Sequence, residues 1–250
     1  MTVILETVSL VRRFGGLVAT NDVSMTLTEG ARHALIGPNG AGKTTFVNLL
    51  TGVIKPTSGT ILLEGADITR EPAHKRAGRG MARTFQINQL FSDLTPLETV
   101  TFAILEREGH GIDPVRSVAG HRAAIEEAAS ILERFRLGDS MDLKTSDLAY
   151  GKQRLLEIAV AIAAKPKVLL LDEPAAGVPE EERHEILDIV NALPTSVAVL
   201  LIEHDMDLVF SFANRISVLV AGALLVEGTV AEVSEDPRVR TAYLGEDADG

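Results

Sequence analysis
Cysteine is absent from this 250-residue chain, which excludes disulfides and thiolate-held metals and permits a cytosolic setting. Long apolar runs are absent too. The longest, at residues 168–171, 197–202 and 218–226, fall well short of the roughly 20 residues of a membrane span and suit buried parallel strands instead. Positive charge is scarce: 24 Lys and Arg stand against 35 Asp and Glu, a formal charge of −11. Proteins that grip nucleic acid through its phosphates carry a basic surface, so this balance argues against nucleic acid as a partner. A local basic cluster, His74, Lys75, Arg76, Arg79 and Arg83, reads as a solvated helix face. Residues 1–12 mix polar and apolar types without a signal-peptide core. There is no heptad run, internal repeat or low-complexity linker, and the length suits one large α/β domain with a substantial core, or two smaller lobes.

What is present points first to phosphate. Residues 37–44 read Gly-Pro-Asn-Gly-Ala-Gly-Lys-Thr, a complete GxxxxGK[ST] loop. Gly37, Gly40 and Gly42 let the backbone turn tightly, so that several N–H groups can face one phosphate, with Pro38, Asn39 and Ala41 between them. Lys43 brings a point charge to the β- and γ-phosphates of a nucleotide, and the Thr44 hydroxyl suits Mg²⁺. Residues 31–36 predict the strand before the loop. Residues 45–50, starting at Thr45, predict a helix whose N-terminus faces the anion.

Around this loop the apolar pattern changes twice. Residues 2–11 and 23–27 alternate and predict antiparallel strands; residues 60–64 predict another after the turn-forming Lys-Pro-Thr-Ser-Gly. Residues 81–86 predict a strand returning to the core. From about 96 to 137 the spacing becomes helical, as in Ile125, Ala128, Ala129, Leu132 and Phe135, which predicts an inserted helical lobe. Beyond 168, strands at 168–171, 197–202 and 216–220 alternate with helices at 180–193 and 206–212, implying a parallel sheet with helices on its faces. The acidic, Gly-containing tail at 245–250 is expected to fray.

The strand Val168-Leu169-Leu170-Leu171 runs into Asp172-Glu173. Its apolar run buries it, and the two acids emerge at the C-terminal edge, where ligands of open α/β sheets bind. Asp172 is expected to hold Mg²⁺, and Glu173 to orient or deprotonate the attacking water.

With these motifs in order, the chain resembles the ATP-binding cassette (ABC) ATPases over nearly its whole length. Thr84-Phe85-Gln86 resembles that family's glutamine loop, Leu148-Ala149-Tyr150-Gly151-Lys152-Gln153 its signature sequence, and Ile202-Glu203-His204-Asp205 its histidine switch. The resemblance implies an α/β P-loop fold: a mixed sheet core at 1–86 and 165–250, with an antiparallel β subdomain, and an inserted helical subdomain at about 87–164. It implies ATP and Mg²⁺ as ligands. Phe14 would stack on adenine, Gln86 would contact the metal or the water, and His204 would hydrogen-bond the γ-phosphate. His33, His74, His110, His121 and His184 are expected to be structural. Ala149, Tyr150, Gly151 and Lys152 would face the triphosphate on a second cassette, at the start of a helix, so the chain should work as a homo- or heterodimer.

Two departures stand out. The usual signature is Leu-Ser-Gly-Gly-Gln; here Ala149 replaces the Ser, at a loss of about 1.5–3 kcal/mol for a hydrogen bond to a charged phosphate, and Tyr150 replaces a Gly. Pro179 stands where the family usually places a coupling Asp, and it suits the first position of the helix that Glu180-Glu181-Glu182 begin. Arg13-Phe14-Gly15-Gly16, Pro174-Ala175-Ala176-Gly177 and Ala242-Tyr243-Leu244-Gly245 resemble the branched-chain amino acid importer (LivG-like) subgroup. That likeness implies two transmembrane permease subunits, a partner cassette, an extracytoplasmic solute-binding protein contacted indirectly, and a place on the cytoplasmic face of the inner membrane. Leu90, Phe91 and Leu94 are candidates for the permease contact. An exporter ATPase of the lipopolysaccharide type and a soluble, non-transport cassette are the alternatives.

Overall fold
Alternation at the start of the chain becomes a long hairpin. β1 (Val3–Phe14) and β2 (Leu17–Thr28) pair antiparallel, Leu5 opposite Leu27 and Phe14 opposite Leu17 at the tip. The computed structural model describes residues 2–84, 90–110 and 120–244, which fall into two units. The first takes in Met1–Met81, Lys167–Glu173 and Leu193–Gly250; the second, Ala82–Pro166 and Pro174–Ala192.

In the first unit β4 (Ser58–Leu63) pairs antiparallel with the other edge of β1 and carries β5 (Ala66–Asp67), giving the order β2-β1-β4-β5. A second sheet is ordered β10-β9-β3-β8-β7-β6. Its members are β3 (Arg32–Ile36), β6 (Met81–Arg83), β7 (Val168–Asp172), β8 (Ala198–Ile202), β9 (Arg215–Val220) and β10 (Ala223–Gly228). β3 lies parallel between β8 and β9, β7 lies parallel to β8, and β10 reverses on β9. Every position of β3, β7 and β8 is buried, which is why Val168–Leu171 and Ala198–Ile202 read as unbroken apolar runs rather than alternating ones, while β3 also buries Arg32 and His33. α1 (Lys43–Leu50) sinks Phe46, Val47, Leu49 and Leu50 into a core shared with Leu5, Leu10, Leu27, Ile61, Leu170 and Leu200.

The basic cluster is not a uniformly solvated face. On α2 (Ala73–Gly78), His74 and Lys75 are exposed, but Arg76 is only 1% exposed. Its guanidinium donates to the carbonyls of Leu49 (2.7 Å), Leu50 (2.6 Å), Thr69 (3.0 Å) and Glu71 (2.9 Å), and so closes the C-terminal end of α1. α7 (Met206–Phe212) follows β8. α8 (Val230–Glu235), started by a Thr229–Glu232 capping box, and α9 (Pro237–Leu244) complete the unit.

The second unit is helical. α3 (Pro96–Arg107) starts from a capping box of Thr95 with Glu98, and α4 (Arg122–Arg134) and α5 (Tyr150–Ala163) pack with it. Of the expected apolar stripe, Ala128, Leu132 and Phe135 are buried, while Ile125 and Ala129 lie half-buried beside them. Arg107 clamps Glu127 at 2.8 Å and holds its carboxyl down at about 2. α6 (Glu180–Asn191) also groups here, where the sequence reading assigned its residues to the nucleotide core. Its first turns face α5 and the segment after α4: Arg136 pairs with Glu185 at 2.7 Å, and a Cβ on Gly151 would lie 2.2 Å from the Glu182 carboxylate.

Candidate functional site
In the first unit, the loop after β3 is shaped by backbone contacts that admit only glycine. Gly37 has φ 153°, and a Cβ there would lie 2.1 Å from the carbonyl oxygen of Leu219 on β9. Gly42, at φ 99°, stands at the N-cap of α1, and its Cβ would lie 2.4 Å from the carbonyl oxygen of Ala19 on β2. The hairpin and β9 therefore brace the loop from two sides. Gly222 completes the brace, donating to Ala41 (2.9 Å) and accepting from Asn21 (2.7 Å). α1 has no acid in its first turn, so nothing there opposes an anion facing Thr44 and Thr45. Lys43 arches over the loop and donates to the carbonyls of Gly37 (2.5 Å) and Pro38 (3.1 Å). Asn39 and Gly40 are exposed at the loop's crest.

The acids meet this loop's sheet at its C-terminal edge. Asp172 ends β7, pairs in register with Ile202 of β8, and is 6% exposed. Glu173 follows with φ 47°, a left-handed backbone that a non-glycine residue adopts at a cost, fixed by its N–H donating to Ile202 at 2.9 Å. That turn brings its carboxylate to 3.6 Å from Nδ1 of His204. His204 is itself held: its N–H donates to the Glu203 carboxylate at 3.1 Å, and Asp205 caps α7 by accepting from the N–H groups of Asp207 and Leu208. Glu203, 2% exposed, is a site residue the sequence reading left unassigned; its signal is an acid directly after an apolar strand, the same pattern that marked Asp172 and Glu173. Thr44 and Asp172 are hard oxygen donors of the kind magnesium takes, with most other positions left to water and phosphate. Phe14, 44% exposed near the hairpin tip, presents one ring face; the guanidinium of Arg12 lies 4.4 Å from the ring centroid. His33 is buried against Ser217 (2.8 Å), as its structural assignment requires. Gln86 lies outside the described residues.

This arrangement has close relatives. The sequence model of the family described as "ABC transporter" matches residues 20–176. The chain is 42% identical to the high-affinity branched-chain amino acid transport ATP-binding protein BraF of Pseudomonas aeruginosa, over 97% of this chain and 98% of that one. The chain belongs to the ABC transporter family. It is an ATP-binding cassette, an ATPase that energises transport. It is 43% identical to the corresponding protein LivG of Salmonella typhimurium, over 95% of this chain and 96% of that one. The model described as "Branched-chain amino acid ATP-binding cassette transporter" matches residues 223–249. Among solved structures, a nucleotide-free ATP-binding cassette from an ABC transporter superposes with TM-score 0.84 at 31% identity, covering 96% of this chain and 98% of that one. The ADP conformation of the cassette MJ1267 gives 0.83 at 31%, covering 98% and 100%.

The residues that resemble the signature open α5 in the second unit. Ala149 is the N-cap and supplies no side-chain hydrogen bond, so the helix start offers backbone N–H groups alone. Tyr150 is 41% exposed and Gly151 is buried. The Lys152 ammonium turns inward and donates to Ser140 at 2.8 Å. Phe91 is 69% exposed and Leu143 48%, while Leu94 is half-buried, its carbonyl accepting from Thr145. No helix among the described residues is long and apolar enough to cross a membrane.

Proposed function
We propose that this cassette hydrolyses MgATP to drive uptake of branched-chain amino acids, paired with a second cassette and docked on two permease subunits at the cytoplasmic face of the membrane. The observation that carries the chemistry is the Glu173 carboxylate, held by its left-handed turn beside His204 at the sheet edge that also ends in Asp172. Lys43 and the loop N–H groups bind the phosphates; Thr44 and Asp172 hold Mg²⁺. Glu173 accepts a hydrogen bond from water and aims its oxygen at the γ-phosphorus, while His204 donates to a γ-phosphate oxygen. The new P–O bond forms as the bond to the β,γ-bridging oxygen breaks, and the proton that water loses passes by way of Glu173 to the released phosphate, leaving ADP and phosphate. Gln86 is assigned to the water or the metal. Phe14 stacks on adenine with the face opposite Arg12, and residues 149–152 complete the site of the partner cassette through backbone N–H groups. Phe91, with Leu90 and Leu94, forms the permease contact.

The cargo reading rests on the C-terminal match at 223–249 and the chain-wide likeness to branched-chain transport proteins. In cells lacking their own copy, the chain expressed with its co-purifying membrane subunits should restore uptake of labelled leucine, isoleucine and valine. Lys43→Ala and Glu173→Gln should abolish it, with ATP turnover down about 100-fold or more. Turnover without uptake of any of the three would reject the cargo. Normal turnover in Glu173→Gln would reject the catalytic assignment.

A further inference from the structure
The first turn of α5 and the segment leading out of Glu173 meet within the helical unit, and the meeting point is unusual. A Cβ placed on Gly177 would lie 3.1 Å from Cε1 of Tyr150 and 3.6 Å from its hydroxyl oxygen, so the ring rests directly on the Gly177 backbone, which has φ 75°. The Arg154 guanidinium lies 5.1 Å from the centroid of the same ring. Arg154 is one turn along α5 and is fixed in turn by Glu157 at 2.8 Å, in a pair whose side chains are 3% and 9% exposed. The ring is thus tied to two places, the Gly177 backbone and a buried ion pair on its own helix.

Ala149 offers no capping group, and Pro179 has neither an N–H nor a polar side chain. Val178 and Glu182 also approach Gly151. Pro174 follows Glu173 directly in the chain, so whatever fixes residues 174–178 bears on the carboxylate that orients water.

We propose that Tyr150 is a positioning residue: its ring locks residues 174–178 to the start of α5, so that the segment behind Glu173 and the signature turn move as one piece. The proposal rests on the hydrolytic reading above. It adds that the aromatic at 150, through its ring and not its hydroxyl, does in this cassette what polar side chains at 149 and 179 cannot. The contact lies wholly within the helical unit, so removing it should slow the chemical step more than it weakens ATP binding.

The test uses the full chain in its transport complex and compares Tyr150→Phe, Tyr150→Gly, Gly177→Ala and the double variant. ATP affinity is measured by equilibrium titration and turnover by steady-state kinetics. Tyr150→Phe, which keeps the ring, should retain several-fold more kcat than Tyr150→Gly, which should lose about tenfold or more in kcat and less than that in ATP affinity. Gly177→Ala should also lower kcat, and adding it to Tyr150→Gly should cost little more, because the two act through one contact. Turnover near the parent level in Tyr150→Gly, equal loss of affinity and kcat, or multiplicative losses in the double variant would each overturn the proposal. If the parent complex binds ATP but never hydrolyses it, the hydrolytic reading fails first and this proposal falls with it.

Discussion
Glu173 and His33 show how one sheet treats two titratable groups differently. At Glu173 a left-handed backbone, worth about 1 kcal/mol of strain for a residue with a Cβ, is held by the bond to Ile202 and sets the carboxylate beside His204. His33, on the strand that feeds the phosphate loop, is instead sealed in: 1% exposed, hydrogen-bonded to Ser217, which donates to Glu227 at 2.9 Å. Burial takes its pKa down from 6.5 to about 4, against the pull of Glu227 and with a small push from Arg215. Because the folded value lies below the unfolded one, unfolded chains bind the proton that folded chains refuse. Stability from this residue is therefore full above 6.5, falls as the pH drops from 6.5 towards 4, and levels off below. At 1.36 kcal/mol per unit this amounts to about 3 kcal/mol across the window. Urea midpoints measured over that range should fall steeply for the parent chain and less steeply for His33→Gln. Equal slopes would assign the acid sensitivity elsewhere.

At the scale of elements, α1 must keep its N-terminus aimed at phosphate, and its other end is anchored by Arg76. Replacing Arg76 by Met keeps the stem's bulk but removes the donor from the buried Leu50 carbonyl and the part-buried Thr69 and Glu71 carbonyls, and leaves Leu49 only its bond from Gly52, which should cost about 3 kcal/mol or more of unfolding free energy. Arg76→Lys should recover only part, since an ammonium cannot reproduce a planar fork of donors. Urea unfolding of both variants decides it, and a cost below about 1 kcal/mol for Arg76→Met would refute the anchoring role. Nothing local in the sequence marks this residue. Its neighbours His74 and Lys75 are solvated, and two of its acceptors lie 26 and 27 positions earlier. The phosphate loop, β7 and β8 were legible because their signals are contiguous: a fixed glycine spacing, and apolar runs ending in acids. β5 is too short to carry a period. β10 is half-buried at nearly every position, so it shows no clean alternation. Glu203 stands in the motif at 202–205 but has no role legible from its own segment, because its burial depends on neighbouring strands.

At the scale of the whole molecule, the charge of −11 and the lack of any spanning helix among the described residues bear on how an energising subunit reaches a membrane. The cytoplasmic leaflet is itself negative, and it attracts basic segments by about 1 kcal/mol per Lys or Arg near the surface. A chain with 35 acids against 24 basic residues has no such attraction overall, and its exposed Phe91 and Leu143 are single side chains rather than an inserting helix face. Lipid should therefore not recruit it; contact with permease subunits should. Purified chain mixed with vesicles containing anionic phosphatidylglycerol should stay in the supernatant after sedimentation, at low and at physiological salt alike. The same chain co-expressed with its permease subunits should sediment with the membranes and be released by Phe91→Asp, while ATP binding in solution stays unchanged. Sedimentation with bare vesicles that weakens as salt rises would place the membrane contact on the protein's own surface instead, and the search for it would move to the basic residues of α2.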